Sequence, residues 1–194
     1  MVAIIDYGAG NVKSLQFALD RLGVQSVLTA DPNRIKTADK VIFPGQGAAG
    51  TAMEKLKLSG LDTLIPNLTQ PVLGICLGMQ LFCAHTEEGD VQGLGIVKES
   101  VKRFSSKVKV PQMGWNSIHQ RKGSLFKGIP EGAYMYLVHS YFVPLTSATV
   151  ATANYDGSYS VALQKDNFYG VQFHPEKSSK QGQLLLHNFL TLAS

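Results

Sequence analysis

Apolar residues fall along this chain in two rhythms, and the change from one to the other organises it. In the first half, unbroken apolar runs alternate with stretches of helical spacing. Val2, Ala3, Ile4 and Ile5 form one such run, as a strand covered on both faces requires. Val12, Leu15, Leu19 and Leu22 then recur at helical intervals, and Gly23 closes the helix they predict. A short strand at 25–28 follows, Asp31-Pro32 starts a turn, and Val41-Ile42-Phe43 makes a third strand ending at Pro44-Gly45. Residues 48–58 read as a helix and residues 71–75 as the next strand. Alternation at this spacing predicts a parallel sheet with helices on both faces.

In the second half the pattern shortens. Segments 97–104, 108–110, 117–120, 134–143, 149–155, 160–164 and 168–173 are strand-like, separated by turn residues, and a last helix runs through Leu185, Phe189 and Leu192. The fold class expected is therefore α/β: an open mixed sheet, its parallel core flanked by helices and its later strands largely antiparallel. No repeat, low-complexity tract or linker divides the chain, so residues 1–194 are expected to form one domain.

Composition narrows the function classes. Hydrophobic residues make up 44% and charged residues 16% of 194 positions, enough to bury a sizeable core. The net charge of +4 is mild, with no long basic run and no aromatic–basic interleaving. Nucleic acid is not an expected partner. Met1 leads straight into the first strand, with no leader pattern and no apolar window of membrane-spanning length. No membrane association and a cytoplasmic location are expected. Cys76 and Cys83 would lie roughly 10 Å apart along a continuing helix, beyond the reach of a disulfide. Two free thiols are expected, with Cys83 in the core on the stripe of Met79 and Phe82. Neither has metal-ligand neighbours, and no cofactor or metal is expected.

The chemistry concentrates at Gly74-Ile75-Cys76-Leu77-Gly78, which follows an apolar strand and opens a helix. That is the pattern of a nucleophile elbow, with cysteine where G-x-S-x-G has serine. The glycines permit a tight bend, and the helix start beside the thiol favours its reactive thiolate form. An isolated cysteine in such a place is more often a core residue, so partners matter. Gly170-Val171-Gln172-Phe173-His174-Pro175-Glu176 offers both a base and a carboxylate to orient it. In an extended segment His174 and Glu176 would point the same way, and Pro175 would stiffen the pair. A strand-end histidine beside a solvated glutamate is the ordinary alternative. His119, His139 and His187 lack a carboxylate two residues away and His85 lies in a polar setting, though His139 in Val138-His139-Ser140-Tyr141 fits a binding site. Attack on a carbonyl also needs an oxyanion hole. The N–H of Leu77 and an amide within Pro44-Gly45-Gln46-Gly47 are the candidates.

Together, GICLGMQ, FHPE and the upstream PG-x-G resemble the triad-type glutamine amidotransferases over essentially the whole chain. DYGAGN with Ser14, PQMGWN at 111–116, VHSY at 138–141 and HPEKS at 174–178 resemble, more narrowly, the glutaminase subunits of imidazole glycerol phosphate synthases. Gln46 and Gln112 depart from that pattern, where valine and histidine are frequent. The resemblance implies hydrolysis of L-glutamine through a Cys76 thioester. His174 would be the proton carrier, Glu176 its support, and Gly47 and Leu77 the oxyanion donors. It also implies that Gln80, Glu88, Ser140 and Tyr141 hold the amino-acid end of glutamine, although Glu88 reads equally as a solvated loop carboxylate. The motifs fill the chain and leave no acceptor site, so the resemblance implies a (β/α)8-barrel cyclase as partner subunit in a heterodimer. It takes ammonia to make imidazole glycerol phosphate and aminoimidazole carboxamide ribonucleotide in histidine biosynthesis. Asn11, Ser14, Trp115, Tyr136 and Lys177 would lie at that interface, with a core role the alternative for Trp115. The competing readings are a glutaminase serving anthranilate or aminodeoxychorismate synthase, a cysteine peptidase of similar elbow architecture, and a non-catalytic protein that kept the fold.

Overall fold

The computed structural model describes residues 1–8 and 12–193, and its first half follows the predicted alternation. In order come β1 (Val2–Ile5), α1 (Val12–Arg21), β2 (Ser26–Thr29), α2 (Pro32–Thr37), β3 (Lys40–Phe43), α3 (Ala49–Ser59), α4 (Leu61–Leu64) and β4 (Val72–Ile75). The elbow opens α5 (Leu77–Leu81), followed by β5 (Cys83–Thr86), β6 (Val91–Gln92), β7 (Val97–Arg103), β8 (Gln112–Ser117), β9 (Tyr134–His139) and β10 (Tyr141–Phe142). Then β11 (Thr149–Asn154), β12 (Ser158–Lys165), β13 (Phe168–Val171) and α6 (Ser179–Leu190) complete the chain.

The main sheet runs β11-β12-β13-β4-β3-β1-β2. From β2 to β13 every neighbouring pair is parallel, and β12 and β11 add antiparallel strands at one edge. Every residue of β1, β3 and β4 is buried, because helices cover both faces and side chains alternate between two cores. Ile4 joins Leu15 and Leu19 of α1 and Leu186 and Phe189 of α6. Ala3 and Ile5 join Met53 and Leu56 of α3 and Met79 and Leu81 of α5 on the other face.

The second half departs from expectation in instructive ways. Its strands do not all extend one sheet: β10-β7-β5-β6 and β8-β9 form two smaller sheets. The stretch 134–143 breaks at Ser140, where the chain passes from β9 to β10. Residues 108–110 are not a strand, and PQMGWN contributes β8, shifting the expected 117–120 strand upstream. Asp31-Pro32 starts α2 rather than a turn alone, since the Asp31 carboxylate accepts the Asn33 N–H at 2.9 Å as an N-cap and Pro32 follows at the first turn. The elbow helix ends at Leu81, so Cys83 is buried on β5 instead of a helical stripe. The last helix stops at Leu190, two residues before Leu192. Among the described residues no helix is long and apolar enough to cross a membrane.

Candidate active site

The parallel pairing of β4 with β13 places Gly74 beside Gly170 and Ile75 beside Val171. Their carboxyl ends therefore meet at one edge, and each leads to one of the side chains the motifs nominate. Cys76 follows β4 with φ 54° and ψ −109°, a conformation L-residues avoid. Its N–H is held by the Val171 carbonyl at 2.8 Å, and its own carbonyl accepts the Gln80 N–H at 3.2 Å. The bend closes tightly because Gly78 has no side chain: a Cβ there would stand 2.0 Å from the Phe43 carbonyl oxygen.

His174 follows β13, and Glu176 is two residues on, but not in an extended segment. Pro175–Lys177 is a 3-10 turn, and it curls the carboxylate back under the ring. His174 Nδ1 lies 2.9 Å from Glu176 Oε1, both side chains only 5% exposed. Glu176 Oε2, although buried, has no hydrogen-bond partner among the described residues. Burial alone would lower the His174 pKa. Hydrogen bonding to, and the negative charge of, the Cys76 and Glu176 side chains overcome this and raise it to about 9. Cys76 also donates toward the Val138 carbonyl at 3.7 Å. Cys83, by contrast, is pushed up to about 12, first by burial and then by the charge of Glu99, which leaves it an inert thiol.

Cys76 opens onto a cleft of about 250 Å³ whose wall includes Gly47, Leu77, Gln80, Glu88, Ser140 and Tyr141. The structure thus gathers around the thiol all the residues that the motifs nominated for oxyanion and substrate contact. As the first residue of α5, Leu77 has an N–H with no acceptor inside its own helix. Glu88 is half-buried, and burial raises its pKa, partly offset by the Ala49 N–H that its carboxylate accepts at 3.1 Å. Gln80 turns inward: its amide donates to the Tyr141 carbonyl at 2.9 Å and to Gln172 Oε1 at 2.8 Å. Gln172 in turn donates to the Cys76 sulfur at 3.6 Å. Sequence reasoning passed over Gln172; a polar residue between Val171 and Phe173, fully buried here, was the available signal. His139 sits beside the cleft with Nδ1 2.7 Å from the Tyr141 carbonyl and Nε2 2.9 Å from Gln112. Burial drives its pKa down to about 4, assisted by the charge of His174 and opposed by the Tyr141 bond. A second, small pocket of about 10 Å³ brings Gln46 and Leu15 to His174 and Glu176.

Of the residues nominated for a partner surface, Trp115 and Tyr136 pair directly across β8 and β9. Their rings meet edge-on with centroids 6.0 Å apart, and Trp115 is 52% exposed. Lys177 is exposed beside Glu176, and Ser14 is half-buried on α1 next to Leu15. Asn11 lies outside the described residues. Among the described residues, no three His, Cys, Asp or Glu side chains group so as to hold a metal ion.

The family profile of glutamine amidotransferase class-I matches residues 3–193. The chain belongs to this family. Within it, the chain is 54% identical over 194 residues to an imidazole glycerol phosphate synthase subunit HisH of Bacteroides thetaiotaomicron, covering 98% of this chain and 99% of that one. It is 49% identical over 191 residues to the subunit of the same name from Haemophilus influenzae, covering 97% and 96% respectively. A crystal structure of a glutamine amidotransferase superposes with a TM-score of 0.76 at 16% identity, covering 98% of this chain and 97% of its own. At that identity the structural likeness speaks to the fold alone.

Proposed function

We propose that this chain is the glutaminase subunit of an imidazole glycerol phosphate synthase. It hydrolyses L-glutamine to glutamate and ammonia and passes the ammonia to a cyclase subunit in histidine biosynthesis. One observation carries the chemistry: a cysteine on a strained elbow beside a buried His–Glu pair from the neighbouring parallel strand. The end-to-end identity to subunits named HisH selects this synthase over others of the class.

In this scheme the Cys76 thiolate attacks the side-chain carboxamide carbon of glutamine. The negative charge passes to the carboxamide oxygen, which the N–H groups of Leu77 and Gly47 stabilise. His174, protonated at about neutral pH by its raised pKa, gives a proton to the departing ammonia. The resulting glutamyl thioester is cleaved by water, whose proton His174 takes as base. Glu176 holds the ring and supports its charge. Glu88 faces the cleft as the partner for glutamine's α-ammonium, with the Ser140-Tyr141 backbone beside it. Gln80 and Gln172 act indirectly, fixing Tyr141 and the thiol. The cyclase is a (β/α)8 barrel that meets the Trp115–Tyr136 face and Lys177, and the assembly is cytoplasmic.

The test is co-purification with the cyclase and assay of both activities. Cys76→Ala is expected to abolish glutamine-dependent synthesis while leaving ammonia-dependent synthesis by the complex within about twofold, since only the acylation step is removed. Loss of both activities would make Cys76 a structural residue. Stimulation of glutamine hydrolysis by an anthranilate synthase, and not by the cyclase, would move the chain to another synthase.

A further inference from the structure

Tyr7 follows β1, buried, with its ring centroid 5.5 Å from that of Phe43. Its hydroxyl donates to the Pro44 carbonyl at 2.9 Å. The chemistry of Cys76, His174 and Glu176 makes no use of this group. Pro44 nevertheless opens the segment that carries Gly47, and the far end of that segment is also tied from outside. There the Glu88 carboxylate accepts the N–H of Ala49, the first residue of α3. Two side chains, one after β1 and one after β5, thus hold the two ends of residues 44–49.

Between these ties the segment meets the elbow backbone against backbone. A Cβ on Gly45 would stand 2.7 Å from both the Gly78 nitrogen and the Leu77 Cβ. Two residues later Gly47 adopts φ 106° and lines the cleft with Cys76. The placement of Pro44 therefore sets how the segment approaches Leu77 and where the Gly47 amide lies relative to the sulfur. Proline has no N–H, so its carbonyl is the only backbone hydrogen-bonding group available to tie it. Burial, and after it the nearby charge of Cys76, raise the Tyr7 pKa well above the usual tyrosine range, so the phenol stays a donor.

We infer that Tyr7 is a positioning residue for the oxyanion site: its hydroxyl anchors the Pro44 carbonyl, as Glu88 anchors Ala49, and together they fix the segment that presents Gly47. The inference rests on the glutaminase reading of the site. It makes Glu88 serve two neighbours, the substrate's ammonium and the start of α3.

Tyr7→Phe in the complex with the cyclase tests this. The kcat for glutamine hydrolysis is expected to fall about tenfold, the scale of a lost buried hydrogen bond acting on an oxyanion donor, with KM unchanged. The γ-aldehyde analogue of glutamine adds the Cys76 sulfur to its carbonyl carbon and places an oxygen in the oxyanion site. Its affinity is expected to weaken by a similar factor, while glutamine binding in a Cys76→Ala background stays the same. Ala49→Pro is the second variant. Proline suits the first position of a helix, and Ala48 already has the extended backbone (φ −87°, ψ 138°) that a following proline demands. It removes the N–H that Glu88 accepts and is expected to reproduce the same split between kcat and KM. Unchanged kcat and analogue affinity in both variants would overturn the inference, as would an equal loss of glutamine binding. A wild-type complex that neither hydrolyses glutamine nor captures the aldehyde would instead bring down the glutaminase reading, and the inference with it.

Discussion

Cys76 holds a backbone conformation that costs of order 1–3 kcal/mol, and it persists because hydrogen bonds to Val171 and from Gln80 fix the peptides on either side. The result is an apex thiol that interacts with the His174 ring. That ring carries a pH signature. The His174 pKa rises from 6.5 to about 9 in the fold, so the folded chain binds this proton more tightly than the unfolded one. The stabilisation is complete below about pH 6.5 and is lost as pH rises through about 9; it amounts to something on the order of 3 kcal/mol. Urea midpoints of the wild type are expected to fall across that window, and His174→Gln is expected to flatten the fall. An equal slope in the variant would assign the titration to other groups. His174 was nominated from its motif, and the i, i+2 spacing to Glu176 pointed to the right pair through the wrong geometry. A proline between them starts a 3-10 turn as readily as it stiffens an extended chain, and only tertiary packing decides which.

At the scale of elements, the elbow and the 44–47 segment behave as one unit because backbone touches backbone at Gly78. Gly78→Ala would drive a methyl into the Phe43 carbonyl, with 2.0 Å between them. The chain must shift, so a loss of about 2–3 kcal/mol in stability is expected, with glutaminase activity of the complex down more than tenfold. Gly50→Ala is the control: its Cβ meets only a Val91 methyl, at 3.6 Å, inside α3. It is expected to hold or raise the melting temperature, since alanine favours helix; equal damage from both changes would refute the close-approach argument. Much of this level was legible from periodicity. β1, β3, β4 and α1 are long apolar runs or clean amphipathic stripes, and the structure places them within a residue or two of expectation. β8 was not, because its inward positions Gln112, Gly114 and Asn116 are not apolar, while its apolar residues Met113 and Trp115 point outward. The short α5 was overextended for a related reason. Met79, Phe82 and Cys83 fit a helical stripe, yet pairing with β7 draws Cys83 into a strand.

At the scale of the whole molecule, the exposed side chains of Met113, Trp115 and Tyr134 give the β8-β9 ribbon an apolar outer surface. If this face receives the cyclase, Trp115→Ala is expected to weaken assembly by about thirtyfold, the scale of an interface hot spot. The melting temperature of the isolated chain should stay nearly constant, because the ring is half in solvent. Titration calorimetry with the cyclase checks the first and a thermal melt the second; unaltered affinity would place the interface elsewhere. The face proposed for the partner was the least legible part of the sequence, because outward apolar residues on a short ribbon look the same as poorly patterned loop. The ribbon is also tied to the chemistry. The Tyr136 carbonyl accepts the His174 N–H at 2.9 Å, the Tyr136 N–H is held by the Ser178 hydroxyl at 2.9 Å, and that hydroxyl donates to the His174 carbonyl at 2.7 Å. The strand that a partner would press and the peptide that carries the base form a closed ring of three hydrogen bonds. If a partner docks on that ribbon, affinity and turnover are not independent axes, and a lesion made to map docking is expected to register in the chemistry of His174 as well.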